Sequence, residues 1–185
     1  EDVDVKKRNW LIIATIGTAI TALPLYFLFK IIFLEGFSAL QGDLITLLIS
    51  GLLILTGILL LKTKKRYGEK RLEEMPKNEL SKNSFIAGLA QGCSILPGIS
   101  RSGITVSAIL FENYEQNEAL RLSFLMSAPA ALASIAVDVL FGEGSVLGVL
   151  EPLTILIITM VSFIVGYASI EALLKIAQKV QFGYF

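Results

Sequence analysis

Apolar residues in this chain gather into five long blocks, at 9–33, 44–61, 84–111, 119–141 and 153–174. About 20 apolar residues cross a bilayer core, so all but the third block are predicted as membrane-spanning helices. No alternation of period two appears, and no strand is predicted. Pro24 lies inside the first block and Pro129 inside the fourth, each expected to bend its helix. Lys30 sits where its stem can reach the interface. The predicted fold class is all-α, a polytopic transmembrane helix bundle.

The third block is interrupted. Between apolar arms lies Pro97-Gly98-Ile99-Ser100-Arg101-Ser102-Gly103-Ile104-Thr105. As helices, 84–96 and 102–111 reach only about 20 Å and about 15 Å, short of a core of about 30 Å. The arms therefore either stack end to end or form a re-entrant hairpin with the motif at its tip. Charge separates the two. The segment 62–83 holds Lys62, Lys64, Lys65, Arg66, Lys70, Arg71, Lys77 and Lys82, which places it on the cytoplasmic side. A re-entrant block then puts 142–152, free of Lys and Arg, outside, and Lys175 and Lys179 inside. A spanning block inverts both, so the hairpin is favoured. The connector 62–83 reads as a solvated helix or loop.

Composition agrees with a membrane protein. Of 185 residues 54% are hydrophobic and 17% charged, against roughly 45–50% and 25% in soluble domains. Sixteen basic and sixteen acidic residues cancel, so placement of charge says more than its sum. Cys93 is the one cysteine and histidine is absent. That excludes an internal disulfide and any mechanism in which this chain supplies a histidine. The charged residues 1–8 do not resemble a signal peptide, and both termini read as those of a piece of a longer protein.

An arginine in lipid costs about 2.5–3.5 kcal/mol on insertion scales, so Arg101 needs a reason. A guanidinium fork flanked by Ser100, Ser102 and Thr105, with Gly98 and Gly103 freeing the backbone, is suited to phosphate oxygens. Irregular backbone at membrane depth survives only inside protein or beside a wet cavity. Other readings stay open. Arg101 could pair with Asp138, and the hydroxyls could cap or pack helices. Gln91 could contact substrate or bond a neighbouring helix. Gly88 and Gly92 suit close helix packing, and Cys93 reads as a small buried side chain. Asp138 reads as interfacial, and Glu171 with Lys175 as an i,i+4 pair.

The stretch Gly88-Leu89-Ala90-Gln91-Gly92 together with 97–105 resembles the second signature of the undecaprenyl-diphosphate phosphatase family, the bacitracin-resistance-type membrane enzymes. Residues 122–130, with Asp138 beyond, are similar to the helix that follows that signature. The resemblance implies an inverted-repeat fold in which two re-entrant hairpins meet near the midplane. It implies hydrolysis of a polyprenyl diphosphate to the monophosphate carrier of cell-wall glycan export, in a multi-pass protein of the cell membrane. Arg101 then grips the diphosphate, with Ser100, Ser102 and Thr105 as accompanying catalytic hydroxyls. Gln91, Gly98 and Gly103 complete the substrate-binding set.

By the same resemblance a divalent cation, Mg or Ca, is expected, with no ligand set readable here. The expected partners are the polyprenyl diphosphate lipid, the membrane and a second copy of the chain, and no nucleic acid. The family's first repeat, with its glutamates, serine-rich loop and histidine, has no counterpart in these residues. The competing reading is a transporter or flippase that binds a phosphorylated polyprenyl lipid without hydrolysing it, since broken helices at the midplane also serve transport.

Overall fold

The computed structural model describes residues 3–34, 39–63, 68–141 and 151–177. Helices α1 (Val3–Leu34), α2 (Ala39–Thr63), α3 (Lys77–Gly92), α4 (Arg101–Phe111), α5 (Gln116–Phe141) and α6 (Pro152–Ala177) follow one another. Short 3-10 turns occur at Leu72–Glu74 and Cys93–Ile95. Four of the helices are long and apolar enough to cross a membrane, with candidate spans Val3–Lys30, Gly42–Thr63, Gln116–Val137 and Pro152–Leu173. The protein is a multi-pass helical bundle. β-pairing among the described residues is limited to one isolated bridge, between Lys70 and Tyr114.

The helices extend past their apolar blocks. α1 takes in the charged residues from Val3 onward, since solvated charges at a helix start oppose nothing in the backbone ladder. α3 starts at Lys77, seven residues before the block at 84, with Pro76 as its N-cap. Proline suits that boundary because it has no N–H to leave unpaired. The connector is also less solvated than its charges suggest, because Leu72, Met75, Leu80 and Asn83 are buried.

α3 and α4 run antiparallel. Asn83, on the first turns of α3, donates its amide N–H to Glu112 Oε2 at 3.1 Å and to the Glu79 carbonyl at 3.2 Å. Glu112 is the C-cap of α4, so the open ends of the two arms meet. Asn113 closes α4 in the left-handed region, at φ 66°, a conformation its short amide side chain tolerates. Its carbonyl accepts from the Lys70 N–H, and the Glu115 N–H returns to the Lys70 carbonyl, both at 3.0 Å. Ion pairs Lys70–Glu79 and Arg71–Glu115 lie at the same end. They are exposed, and such pairs contribute little; the backbone clip fixes the geometry.

Helix α3 packs along α1 at backbone distance. A Cβ on Gly88 would lie 2.1 Å from the Ala14 carbonyl oxygen, and one on Gly92 would lie 2.7 Å from the Thr18 oxygen. Small residues allow such approach in membranes, and Thr21 Oγ1 donates across it to the Leu89 carbonyl at 3.1 Å. α4 packs on α2, where Gly98, at φ +97°, and Gly103 face Ile49 and Thr56. Exposed apolar surface lies on α2 and α6, as at Leu47 and Phe163. Glu171 and Lys175 form the expected i,i+4 pair at 2.7 Å.

Trp10, Asn83 and Tyr114 meet in the core at the base of the hairpin. Burial pushes the Tyr114 phenol above its ordinary pKa of 10. The nearby Trp10 and Asn83 side chains oppose that shift without completing a hydrogen bond to Tyr114 Oη. The unfolded chain therefore ionises first. Stability is full below about pH 10 and is lost as pH rises through the folded-state value. Thermal midpoints in detergent should fall from pH 8 to pH 11, and Tyr114→Phe should reduce that fall.

Candidate functional site

The tip of the hairpin is built from three local choices. α3 tightens into the turn Cys93–Ile95, Leu96 and Pro97 leave helical geometry, and Gly98 reverses the chain in a region other residues rarely enter. Ser100 then caps α4, its Oγ accepting from the Gly103 N–H at 3.2 Å. Arg101 is the first residue of α4, where helix N–H groups have no acceptor within the helix and the dipole favours anions.

A cavity of about 460 Å³ opens at this tip, between α1, the end of α3 and α5. Its polar members are Arg101, Gln91, Ser94, Thr15, Thr18, Tyr26 and Ser134, and its walls are mainly alanine, leucine, isoleucine and valine. Thr15 and Thr18 donate to the Leu11 and Ala14 carbonyls, at 2.7 and 2.9 Å, and keep their oxygens as acceptors. Among the described lining residues Arg101 is the one cation.

Gln91 is only 3% exposed. Its Nε2 donates to the Met126 carbonyl at 3.2 Å. Pro129 lies inside α5, where its missing N–H leaves the Leu125 carbonyl without its helical donor. The adjacent Met126 carbonyl receives the amide of Gln91. The bond fixes which way the amide points, leaving Oε1 buried and without a partner. A buried acceptor without a partner carries a penalty of about 1–3 kcal/mol, which a ligand donor in the cavity would remove.

Of the residues singled out in the sequence, Arg101 and Gln91 meet in this cavity. The other five lie beside it. Ser100 is a helix cap and Ser102 an exposed residue of the first turn. Thr105 is fully buried and donates Oγ1–H to the Arg101 carbonyl at 2.7 Å, which steadies the turn carrying the guanidinium. Gly98 and Gly103 pack on α2. Cys93 is half-buried rather than buried, because the 3-10 turn that begins with it rotates it off the α3 interface. The Asp138 side chain lies outside the described residues, as do 142–150, Lys64, Lys65, Arg66 and Lys179. Thr15, Thr18, Tyr26, Ser94 and Ser134 line the site unannounced by any motif, since single hydroxyls in apolar blocks also serve packing.

Among the described residues no three acidic or cysteine side chains gather as a metal site. Among the described residues the cavity offers one cation, hydroxyls and one amide group, a donor set that does not fit a divalent ion.

Substituting Ser100 by alanine tests the cap: its loss should cost about 1 kcal/mol of stability, read as a lower thermal midpoint for Ser100→Ala than for the wild type.

Four candidate spans and a broken-helix hairpin whose Arg101 lines an apolar-walled cavity define a multi-pass membrane protein. The chain belongs to the bacitracin resistance protein BacA family, whose model matches residues 2–185. It is 39% identical over 189 residues to the undecaprenyl-diphosphatase of Methanothrix thermoacetophila, covering all of this chain and 66% of that protein. It is 38% identical over 175 residues to the undecaprenyl-diphosphatase of Haloarcula marismortui, covering 94% and 60%. The Methanococcoides burtonii undecaprenyl-diphosphatase is 36% identical over 179 residues, covering 96% and 61%. The chain thus spans about two thirds or less of the length of these relatives.

Proposed function

We propose that the protein is, or forms the phosphate-gripping part of, a polyprenyl-diphosphate phosphatase acting on an undecaprenyl-type lipid. One observation carries this reading: Arg101 and Gln91 line one cavity whose remaining walls are largely apolar. A diphosphate on a long isoprenoid has those two faces. The names of the relatives support the same substrate.

In this reading the diphosphate enters with its charged end toward the start of α4. The Arg101 fork binds it through two oxygens, and the first-turn N–H groups add donors. Gln91 Oε1 accepts from a P–OH of the head group. Attack on the terminal phosphorus forms a new O–P bond and breaks the bridging P–O bond, releasing the lipid monophosphate. Charge spreading over the transferring oxygens is stabilised by Arg101. The attacking group is not assigned to Thr105, whose hydroxyl is committed to the backbone.

We include in this proposal a re-entrant hairpin entering from the cytoplasmic side, supported by the antiparallel arms and the basic residues at their base. A homodimer belongs to it too, through the exposed apolar length of α6.

Gln91→Met keeps volume while removing both amide functions. The lost Met126 bond and the removed orphan oxygen offset, so the thermal midpoint should change little. KM for the diphosphate should rise about tenfold, the worth of a hydrogen bond to a charged ligand. The reading itself is tested by giving the full-length protein a synthetic polyprenyl diphosphate and measuring phosphate release. Phosphate with lipid monophosphate as products is expected. Movement of lipid between leaflets with no phosphate released overturns it in favour of transport.

A further inference from the structure

Among the described residues, five hydroxyl-bearing side chains line the Arg101 cavity, and they differ in where their protons go. Thr15 and Thr18 give theirs to carbonyls of their own helix, a common resolution for a hydroxyl on a helix. Thr46, Ser50 and Thr56 on α2 and Ser127 on α5 make the same kind of bond. Ser94 departs from this pattern. It is half-buried, and its hydroxyl makes no hydrogen bond among the described residues. Ser94 is the middle residue of the 3-10 turn Cys93–Ile95. The backbone tightens there, and the Gln91 carbonyl, three residues back, receives the Cys93 N–H instead. A serine hydroxyl is one donor and an acceptor, so Ser94 keeps a proton for whatever fills the cavity.

The dimensions of the hairpin put Ser94 level with Arg101. Asn83 of α3 and Glu112 of α4 are bonded at 3.1 Å and mark a common starting level for the two arms. From Asn83, nine α-helical residues and two of the 3-10 turn reach Ser94, about 17 Å at roughly 1.5 and 2.0 Å per residue. From Glu112 back to Arg101 is eleven residues, again about 17 Å. Gln91, three residues before Ser94 and on the same face, also lines the cavity. Ser134 of α5 is eight residues past the Met126 carbonyl that Gln91 bonds, so it lies about 12 Å further along the bundle. Ser94 is the unengaged hydroxyl at the level of the cation.

We propose that Ser94 is a substrate-binding residue, donating its hydroxyl proton to a non-bridging oxygen of the diphosphate that Arg101 holds. The identity of the ligand rests on the phosphatase reading above. A diphosphate presents more acceptor oxygens than one guanidinium fork can engage. A neutral donor at the same level adds to binding without a second charge at membrane depth.

The test is calorimetric titration of the full-length protein in detergent with a polyprenyl methylenediphosphonate, whose carbon bridge resists hydrolysis. Ser94→Ala should bind it about tenfold more weakly than wild type, the worth of one hydrogen bond to a charged ligand. Its thermal midpoint without ligand should equal that of wild type, since the lost hydroxyl has no partner among the described residues. Ser50→Ala, on the exposed face of α2, should match wild type in both measurements. Unchanged affinity in Ser94→Ala, or a lowered midpoint beside the weaker binding, overturns the proposal and leaves the phosphatase reading in place. Binding of the analogue by wild type with no phosphate released from the polyprenyl diphosphate removes the phosphatase reading and keeps Ser94. No binding of the analogue by wild type overturns both.

Discussion

Replacing Arg101 by alanine in the full-length protein should lower kcat/KM for a polyprenyl diphosphate about a thousandfold, with the fold intact. The size follows from chemistry: a preorganised donor aimed at developing charge gives roughly 10²–10³ in rate, and an arginine on a transferring phosphoryl group 10³ or more. The intact fold follows from position. Arg101 is exposed to the cavity on the first turn of α4, whose cap is Ser100 and whose outward face is Gly103 on α2. Arg101→Lys keeps the charge but loses the fork, and should recover only part of the activity. Steady-state phosphate release for the three proteins, beside their thermal midpoints, checks both statements. An alanine variant within tenfold of wild type would remove Arg101 from the reaction.

Gly88→Val should be the most destabilising single change among the helix contacts. Any Cβ at 88 falls 2.1 Å from the Ala14 carbonyl oxygen, and the next atoms it meets are also backbone. Backbone cannot turn aside as a side chain can, so α1 and α3 must separate. Overpacking usually costs about 1–3 kcal/mol, and a branched side chain against helix backbone should exceed that range. The loss reaches function, because α1 and the end of α3 are two walls of the Arg101 cavity. Extracted protein should melt several degrees lower or fail to accumulate. Gly166→Val, where a Cβ meets no atom within 4 Å, should melt like wild type.

The spanning helices were legible because nothing competes with their signal: uncharged runs of bilayer length have few other readings. The break at 97–103 was legible for the same reason, since proline, two glycines and an arginine contradict an apolar helix. What lay hidden depends on pairs distant in sequence. Lys77–Asn83 reads as solvated until Asn83 finds Glu112 and Leu80 finds its core. Gly88 and Gly92 signal close packing, but Ala14 and Thr18 as the partners emerge only from the fold. Gln91 carried two readings, a helix contact and a ligand contact. The structure joins them, since the residue both bonds Met126 and lines the cavity. The hydroxyls around Arg101 were grouped by proximity in sequence, whereas the helix points Thr105 away from the site and assigns Ser100 to its own backbone.

The central claim is that one cavity holds the charged head against Arg101 and the lipid chain against α1 and α5. A photoreactive polyprenyl diphosphate, its reactive group on the first isoprene unit, tests this most directly when cross-linked to the full-length protein and mapped by mass spectrometry. The account predicts label on the cavity walls, at Ala22 and Leu23 of α1 and at Ala130, Ala133 and Ile135 of α5, lost when excess unlabelled diphosphate competes. Label confined to the outer faces of α2 or α6, or unchanged by that competitor, would contradict it.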